Sequence, residues 1–367
     1  MASRANLAKQ TSDAVHKPYL VPTEPFDDMH DDPRGPVSPL SPATGELIIS
    51  RFDPVDRAAA KSRKLYESSA IATAIFGACA VLLAILELGS NYLHEFHVNL
   101  PPEPTLVKIE LGAVVAMLGS WTIMWIQKPS WLARRHQAEC YRQIKYQLLV
   151  RPGKWADRQW LEGKMKPVLA FKPGPWPPGT IKRLDHAVEH DVLRVPFEIE
   201  KKELPREDLS RLVTYYLEKR LIPQRAYLDD RKKTNQRWDF IFKILEGLSL
   251  LGVLAALGHA AWILDKPSRA AAFLLAAACF PVVAAYVRTL RSSFEFSRNK
   301  SRFCAAYEAL VKLEEALEHD LSQISAGYGQ PSIDASEVLM KLHWSEHILT
   351  TEHIEWLRLM TETEFLG

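Results

Sequence analysis

Four windows of this chain are long and apolar enough to demand either the interior of a large fold or a lipid bilayer. They are residues 68–92, 106–127, 240–264 and 270–290. A helix needs about 20 mostly apolar residues to cross about 30 Å of hydrocarbon. The strictly uncharged cores run only about 16 to 18 residues, so buried helices of a soluble protein are the competing reading. The flanks decide between the two. Five Lys or Arg residues lie in 51–67, none in 93–105 and five in 128–145. The second pair of windows has five in 225–239, two in 265–269 and five in 288–302. Because basic residues stay on the cytoplasmic side, 93–105 and 265–269 are expected outside and everything else inside. The expected fold is all-α: an integral membrane protein with four transmembrane helices arranged as two hairpins, with long cytoplasmic helices.

Composition conceals this. With 47% hydrophobic and 25% charged residues, the average is that of an ordinary globular protein, because polar helices dilute the apolar windows. The net charge of +2 supplies no footprint for nucleic acid, so no nucleic-acid partner is expected. Cys79, Cys140, Cys279 and Cys304 follow no disulfide pattern. The first residues lack an apolar leader segment, so the first span is expected to act as its own insertion signal. Multi-pass placement in the cell inner membrane with both termini cytoplasmic follows as the expectation. Trp121, Trp125, Trp131, Trp238 and Trp262 fall near the expected interfaces, where amphipathic rings are favoured. Small residues are dense in the spans, for example Ala70, Ala72, Ala74 and Gly77, and such faces allow close helix approach to the other hairpin or to another copy.

Residues 1–50 contain seven prolines and the acidic cluster Asp27, Asp28, Asp31 and Asp32, and read as a disordered cytoplasmic tail. A helix is predicted to begin near Pro54. Residues 51–165 form the first hairpin with its flanking helices, in which Leu132, His136, Cys140 and Ile144 share one face. Residues 166–205, with KPGPWPPG at 172–179, read as a linker. The second hairpin unit spans 206–326, and Pro223 is expected to kink its leading helix or mark a boundary. Residues 327–367 form a C-terminal helix, with Leu342, Leu349 and Trp356 seven apart, folding back on the helix that carries Leu310, Leu317 and Ile324.

The search for chemistry finds little. HAVEH at His186–His190 and HWSEH at His343–His347 both fit H-x-x-E-H, a zinc-peptidase pattern in which two histidines bind metal and the glutamate is the base. With 12 His and many Glu in the chain, charged helix faces are the stronger reading of both. No phosphate-cradling glycine loop or nucleophile motif stands out, so neither an enzyme nor a cofactor is expected. Ionisable residues at membrane depth remain. Lys108, Lys243 and Arg288 can snorkel. Glu87, Glu246 and His259 cannot reach far, which makes them the candidates for a pore or bundle interior.

The order Tyr215, Tyr216, Glu218, Arg220, Gln224 and Tyr227, followed by a basic run to Trp238 and then a membrane hairpin, resembles the SLATT-type two-transmembrane domain of bacteria. SEHILTTEHIEWLRLM, with Glu352, Trp356 and Met360, looks like the closing helix of such domains, and RFDPVDRAAAKSRKLYESSA is similar to the start of the paired-hairpin form. The resemblance covers about residues 50–365 and rests on helix-surface patterns. It implies a membrane effector in prokaryotic conflict systems that forms pores or disturbs the bilayer, as a homo-oligomer, when a nucleotide signal is sensed. The chain has a Pro-rich tail where a fused sensor would stand, so sensing falls to a separate nucleotide-sensing partner or to the cytoplasmic helices. Arg220, Gln224 and Tyr227 match the family pattern and are assigned to subunit or helix contacts. A non-conducting scaffold recruiting cytoplasmic partners is the alternative.

Overall fold

The computed structural model describes residues 28–31, 36–90, 101–151, 155–170, 204–326 and 334–362. Among these residues every regular element is helical, so the fold is all-α, and four helices are long and apolar enough to cross a membrane. The protein is a multi-pass membrane protein.

Helix α1 (Pro42–Leu88) and helix α2 (Glu103–Leu149) form the first hairpin, each 47 residues long. At 1.5 Å per residue such a rod runs about 70 Å, more than twice the hydrocarbon thickness of about 30 Å. Each helix is therefore half span and half polar extension. The start of α1 differs from the expectation at Pro54. Ser41 caps it by accepting from the Thr44 backbone N–H at 3.3 Å, and Pro42 occupies the first turn, where its missing N–H removes no bond. Helical backbone then passes through Pro54. Residues 42–50, read as part of the tail, are helix instead.

Helix α3 (Arg158–Ala170) caps the polar end of the first hairpin and extends into the stretch read as linker. The motif at 172–179, His186–His190 and residues 91–100, which hold most of the stretch expected outside, lie outside the described residues.

The second hairpin opens with α4 (Arg206–Tyr216), a π turn at Leu217–Leu221 and α5 (Ile222–Trp262), continuous as one helical rod of 57 residues. Pro223 falls at the expected boundary: the α-helix restarts at Ile222 with the proline in its first turn, directly after the π turn. Proline lacks the N–H that would bond the Lys219 carbonyl four residues back, and the wider turn takes up the mismatch as π bulges do. The Tyr146 hydroxyl of α2 lies 3.4 Å from the freed Lys219 carbonyl. Helix α6 (Pro267–Ser293) returns through the membrane and α7 (Phe296–Ser325) continues away from it. They meet at Glu295, which has φ 50°. Phe296 stacks on Phe242 of α5 at 5.5 Å and pins this break. Helix α8 (Ala335–Glu362) folds back antiparallel to α7, tied by Lys341 to Asp320 at 2.8 Å, and inserts its other face against α2.

Two layers result. In the apolar layer α1 packs on α2 and α6, and α6 on α5. Gly252 lets α5 approach α6 closely: a Cβ there would meet Phe280 Cε1 at 2.6 Å. The polar layer is a bundle of α1, α2, α4, α5, α7 and α8 with a continuous apolar core that includes Leu149, Leu212, Leu221, Leu310 and Leu342. Trp131, expected at an interface, is buried at the base of this bundle, stacked on Tyr66 at 5.3 Å with Trp356 edge-on at 5.5 Å.

Candidate functional site

The polar bundle carries charged side chains through its middle. Arg220 stands in the π turn and is 1% exposed. Its Nε and Nη2 donate to Oε1 and Oε2 of Glu346 on α8, at 2.9 and 3.0 Å. This is the two-pronged pairing that suits a guanidinium and fixes orientation as well as charge. Its Nη1 donates to Asp28 Oδ2 at 2.5 Å, and its guanidinium carbon sits 4.5 Å above the Tyr146 ring. Arg142 on α2 donates from Nε to Asp28 Oδ1 at 2.7 Å and from Nη1 to Glu139 Oε2 at 2.5 Å. Asp28 thus bridges two arginines from different hairpins, and it is 0% exposed.

The rest of the centre completes the pairing. The Tyr216 hydroxyl donates to Glu346 Oε1 at 2.7 Å, and Gln224 Nε2 donates to Asp28 Oδ2 at 3.3 Å. Lys145 Nζ donates to the main-chain carbonyls of Asp28 and Met29 at 3.0 and 2.8 Å. Asp28, Glu139 and Glu346 balance Arg142, Arg220 and Lys145, three acids against three bases. A buried charge is tolerated only when paired and hydrogen-bonded, and here each one is. Burial alone would raise the Glu139 carboxyl, but the Arg142 and Arg135 guanidiniums hold it well below the usual carboxylate range. The centre is therefore a buried and mutually paired cluster.

One turn toward the membrane lies a second polar contact. His136 of α2 and His353 of α8 stack with rings 5.6 Å apart, and His136 Nδ1 is 3.4 Å from His353 Nε2. Burial lowers His136 to about 4 and His353 to about 3, so both rings are neutral and one must present N–H to the other's lone pair. The Cys140 thiol, 3.6 Å from His136 Nε2, is pushed up to about 12 by burial and by Glu139, the opposite of an activated thiol. Nearby, Arg302 of α7 reaches Glu352 of α8 at 3.0 Å.

Arg220 and Tyr227 meet other helices, and Gln224 meets the Asp28 segment. Arg220 and Gln224 enter the ionic centre, while Tyr227 packs edge-on against Phe303 of α7 with centroids 6.4 Å apart. Glu87, Glu246 and His259 are not brought together. Glu246 pairs with Arg291 of α6 at 3.5 Å near the polar end of the span. His259 is exposed and edge-on to Phe273 at 4.3 Å. Thirteen residues of helix separate these two, which places them about 220° apart around α5. Glu87 stands near the far end of α1. They form no shared interior in a single chain.

Glu346 of HWSEH faces Arg220 and Tyr216, while His347 packs edge-on to Trp344. Among the described residues no group of three or more His, Cys, Asp or Glu is placed to hold a metal ion. The tail reading is corrected at 28–31: Asp28 and Met29 are buried, because the bundle offers the carboxylate two guanidiniums and the Met29 side chain an apolar cluster. The centre's Asp28, Glu139, Arg142, Lys145 and Glu346 were not anticipated from sequence. One signal was visible: charged residues at 139, 142 and 145 share a helix with the apolar stripe through 136, 140 and 144. Compared with known proteins, the chain matches no family model, and no curated protein or solved structure shows significant similarity to it.

Proposed function

We propose that this protein is a regulated, membrane-perturbing effector of the inner membrane, active as a homo-oligomer, with both termini and the polar bundle in the cytoplasm. One observation carries this reading: three of the four spans run on as helix into the polar bundle, the fourth reaches α7 through the break at Glu295, and the two hairpins are tied there through a buried ionic centre. A rigid rod transmits a displacement at one end to the other. Packed cores have discrete arrangements rather than continuous deformation, so a change at Arg220, Glu346 and Asp28 would be felt by the spans as a choice between packings. The outer faces of α2 and α5 supply the surface for assembly: from 107 to 130 no residue of α2 is buried within the chain. In this reading a nucleotide-sensing partner, or another cytoplasmic signal, acts on the bundle.

The test is membrane potential in bacterial cells producing the wild-type chain or Arg142→Gln, which weakens the centre while leaving Arg220 its Glu346 partner. Faster dye-reported depolarisation by the variant at equal membrane abundance is expected. Normal potential with both proteins would overturn the effector reading in favour of the non-conducting scaffold. Topology is checked separately by an impermeant thiol reagent on intact cells, in a background without the native cysteines. Asn99→Cys and Ser268→Cys should label, while Ser130→Cys and Ser325→Cys should not.

A further inference from the structure

The segment Asp28–Asp31 lies along the bundle with the contacts of a bound peptide. Its first residue places a carboxylate between Arg142 and Arg220. Met29, 0% exposed, belongs to one buried apolar cluster with Ile48 and Phe52 of α1, Tyr141 and Ile144 of α2, and Leu161 and Met165 of α3. The segment's main chain is read as well: the Asp28 carbonyl accepts from Tyr146 Oη at 2.6 Å, and Lys145 Nζ takes the carbonyls of Asp28 and Met29. His30 Nε2 sits 3.1 Å from Asp53, and the Asp31 carboxylate accepts from Tyr215 Oη at 2.5 Å. Acid, apolar anchor, spacer and acid each have a place. Anchored side chains plus main-chain hydrogen bonds are how grooves recognise peptides.

The arginines of the groove also have partners on the helices. Arg142 keeps Glu139 at 2.5 Å, and Arg220 keeps both oxygens of Glu346. Both guanidiniums therefore keep a carboxylate partner on the helices. The two arginines thus accept the segment's acid on donors left over from their pairing with the helices. We propose that this groove is a peptide-recognition site for a short acid–apolar–x–acid protein segment, which residues 28–31 occupy in cis as a detachable ligand. The partner it fits is a protein presenting such a segment in the bent conformation that residues 28–31 adopt. A tethered segment acts at an effective concentration of about millimolar, so an intruding partner must compete with the chain's own tail.

The test uses the full chain in detergent, where no membrane potential exists, so its failure leaves the effector reading standing and the reverse also holds. The groove is emptied by Asp28→Ser with Met29→Ser, and a fluorescein-labelled synthetic peptide of residues 24–35 is titrated by anisotropy. Saturable binding is expected, at least about tenfold tighter to the emptied variant than to wild type. A peptide carrying Asp28→Lys should not bind, and one carrying Met29→Asp should weaken binding by about tenfold or more. As a second arm, a protease site inserted after residue 36 of the wild-type chain is cut, and exchange of the released tail for labelled peptide is followed. A folded emptied variant that ignores the peptide, loss of helicity in that variant, or a cut tail that never exchanges would each make 28–31 a fixed part of the core and overturn the proposal.

Discussion

The membrane layer and the polar bundle are built from the same rods yet specified in opposite ways. In the membrane layer, Cβ atoms added at Gly112 and Gly119 of α2 or Gly247 and Gly258 of α5 would meet nothing within 4 Å, and large apolar side chains such as Leu111, Leu118, Leu250 and Leu254 face outward. In the bundle, guanidiniums, carboxylates, tyrosines and imidazoles are sealed together. Lipid removes the hydrophobic drive between helices, so spans tolerate several arrangements at similar free energy. A buried ion pair does not: any register that misplaces Arg220 strands a charge. Positional information for the whole molecule therefore resides in the polar half, and the spans follow it.

The largest expected effect tests that difference directly. Arg220→Ala leaves Glu346 buried and removes the tie to Asp28, and should destabilise the protein by about 3–5 kcal/mol, the usual loss when one member of a buried pair is deleted. Arg220→Lys should recover little, since an ammonium cannot reproduce the two parallel bonds to Glu346. Thermal unfolding in detergent, followed by far-UV circular dichroism, gives the number. A loss below about 1 kcal/mol would place the specifying contacts elsewhere.

Acid should act next, through the histidine pair. His136 and His353 are lowered by burial to about 4 and about 3, whereas the unfolded chain titrates near 6.5. Between those limits the unfolded state binds more protons, so stability is full above about pH 6.5 and declines as pH falls. Each imidazole contributes up to about 1.4 kcal/mol per pH unit in that window. The thermal midpoint should drop from pH 7 to pH 5, and the slope should be about halved in His353→Gln. A slope unchanged by that substitution would mean the pair is not buried neutral as the geometry has it.

Glycine contacts sharpen the comparison from the membrane side. Gly252→Ala drives a methyl into the Phe280 ring and should cost about 1–3 kcal/mol. Gly112→Ala and Gly119→Ala face open space and should stay within about 0.5 kcal/mol, or gain slightly in helix propensity. A cost at Gly112 as large as that at Gly252, present only at high protein-to-detergent ratio, would show that this face packs against a second copy.

What could be read from the sequence follows the same division. The four spans, their pairing into hairpins and the antiparallel closing helix rest on hydropathy and helical period, which are local, and these are present. Arg220 and Gln224 were legible as contact residues through a resemblance in their spacing. Their partners were not, because a buried centre is assembled from positions as distant as 28, 142, 220 and 346, and each looks like an ordinary surface charge in its own window. The tail misled for the same reason: a Pro-rich, acidic stretch has the composition of disorder, and only the two arginines waiting in another part of the chain make Asp28 a core residue. Pro54 shows the limit of a local signal, since α1 begins twelve residues before it and runs through it, whereas Pro223 does coincide with a change of helix type.

The smallest expected effect concerns the residues that sequence alone favoured. His259 lies on the exposed side of α5, touching Phe273 only with a ring edge, and Glu246 pairs with Arg291 near the polar boundary where both are partly exposed. Replacing an outward imidazole in an apolar span by leucine removes a polar group from hydrocarbon and leaves no cavity behind. His259→Leu should therefore alter the stability of the isolated chain by no more than about 0.5 kcal/mol, or raise it. Glu246→Gln keeps the shape of a pair already weakened by solvent and should be similarly mild. Dye release from vesicles containing the reconstituted protein then separates two roles for the same face. If His259→Leu leaves both stability and release unchanged, α5 faces lipid in the working assembly. If release changes while the stability of the single chain does not, His259 acts between copies, and the open side of the membrane layer is completed by a neighbouring subunit.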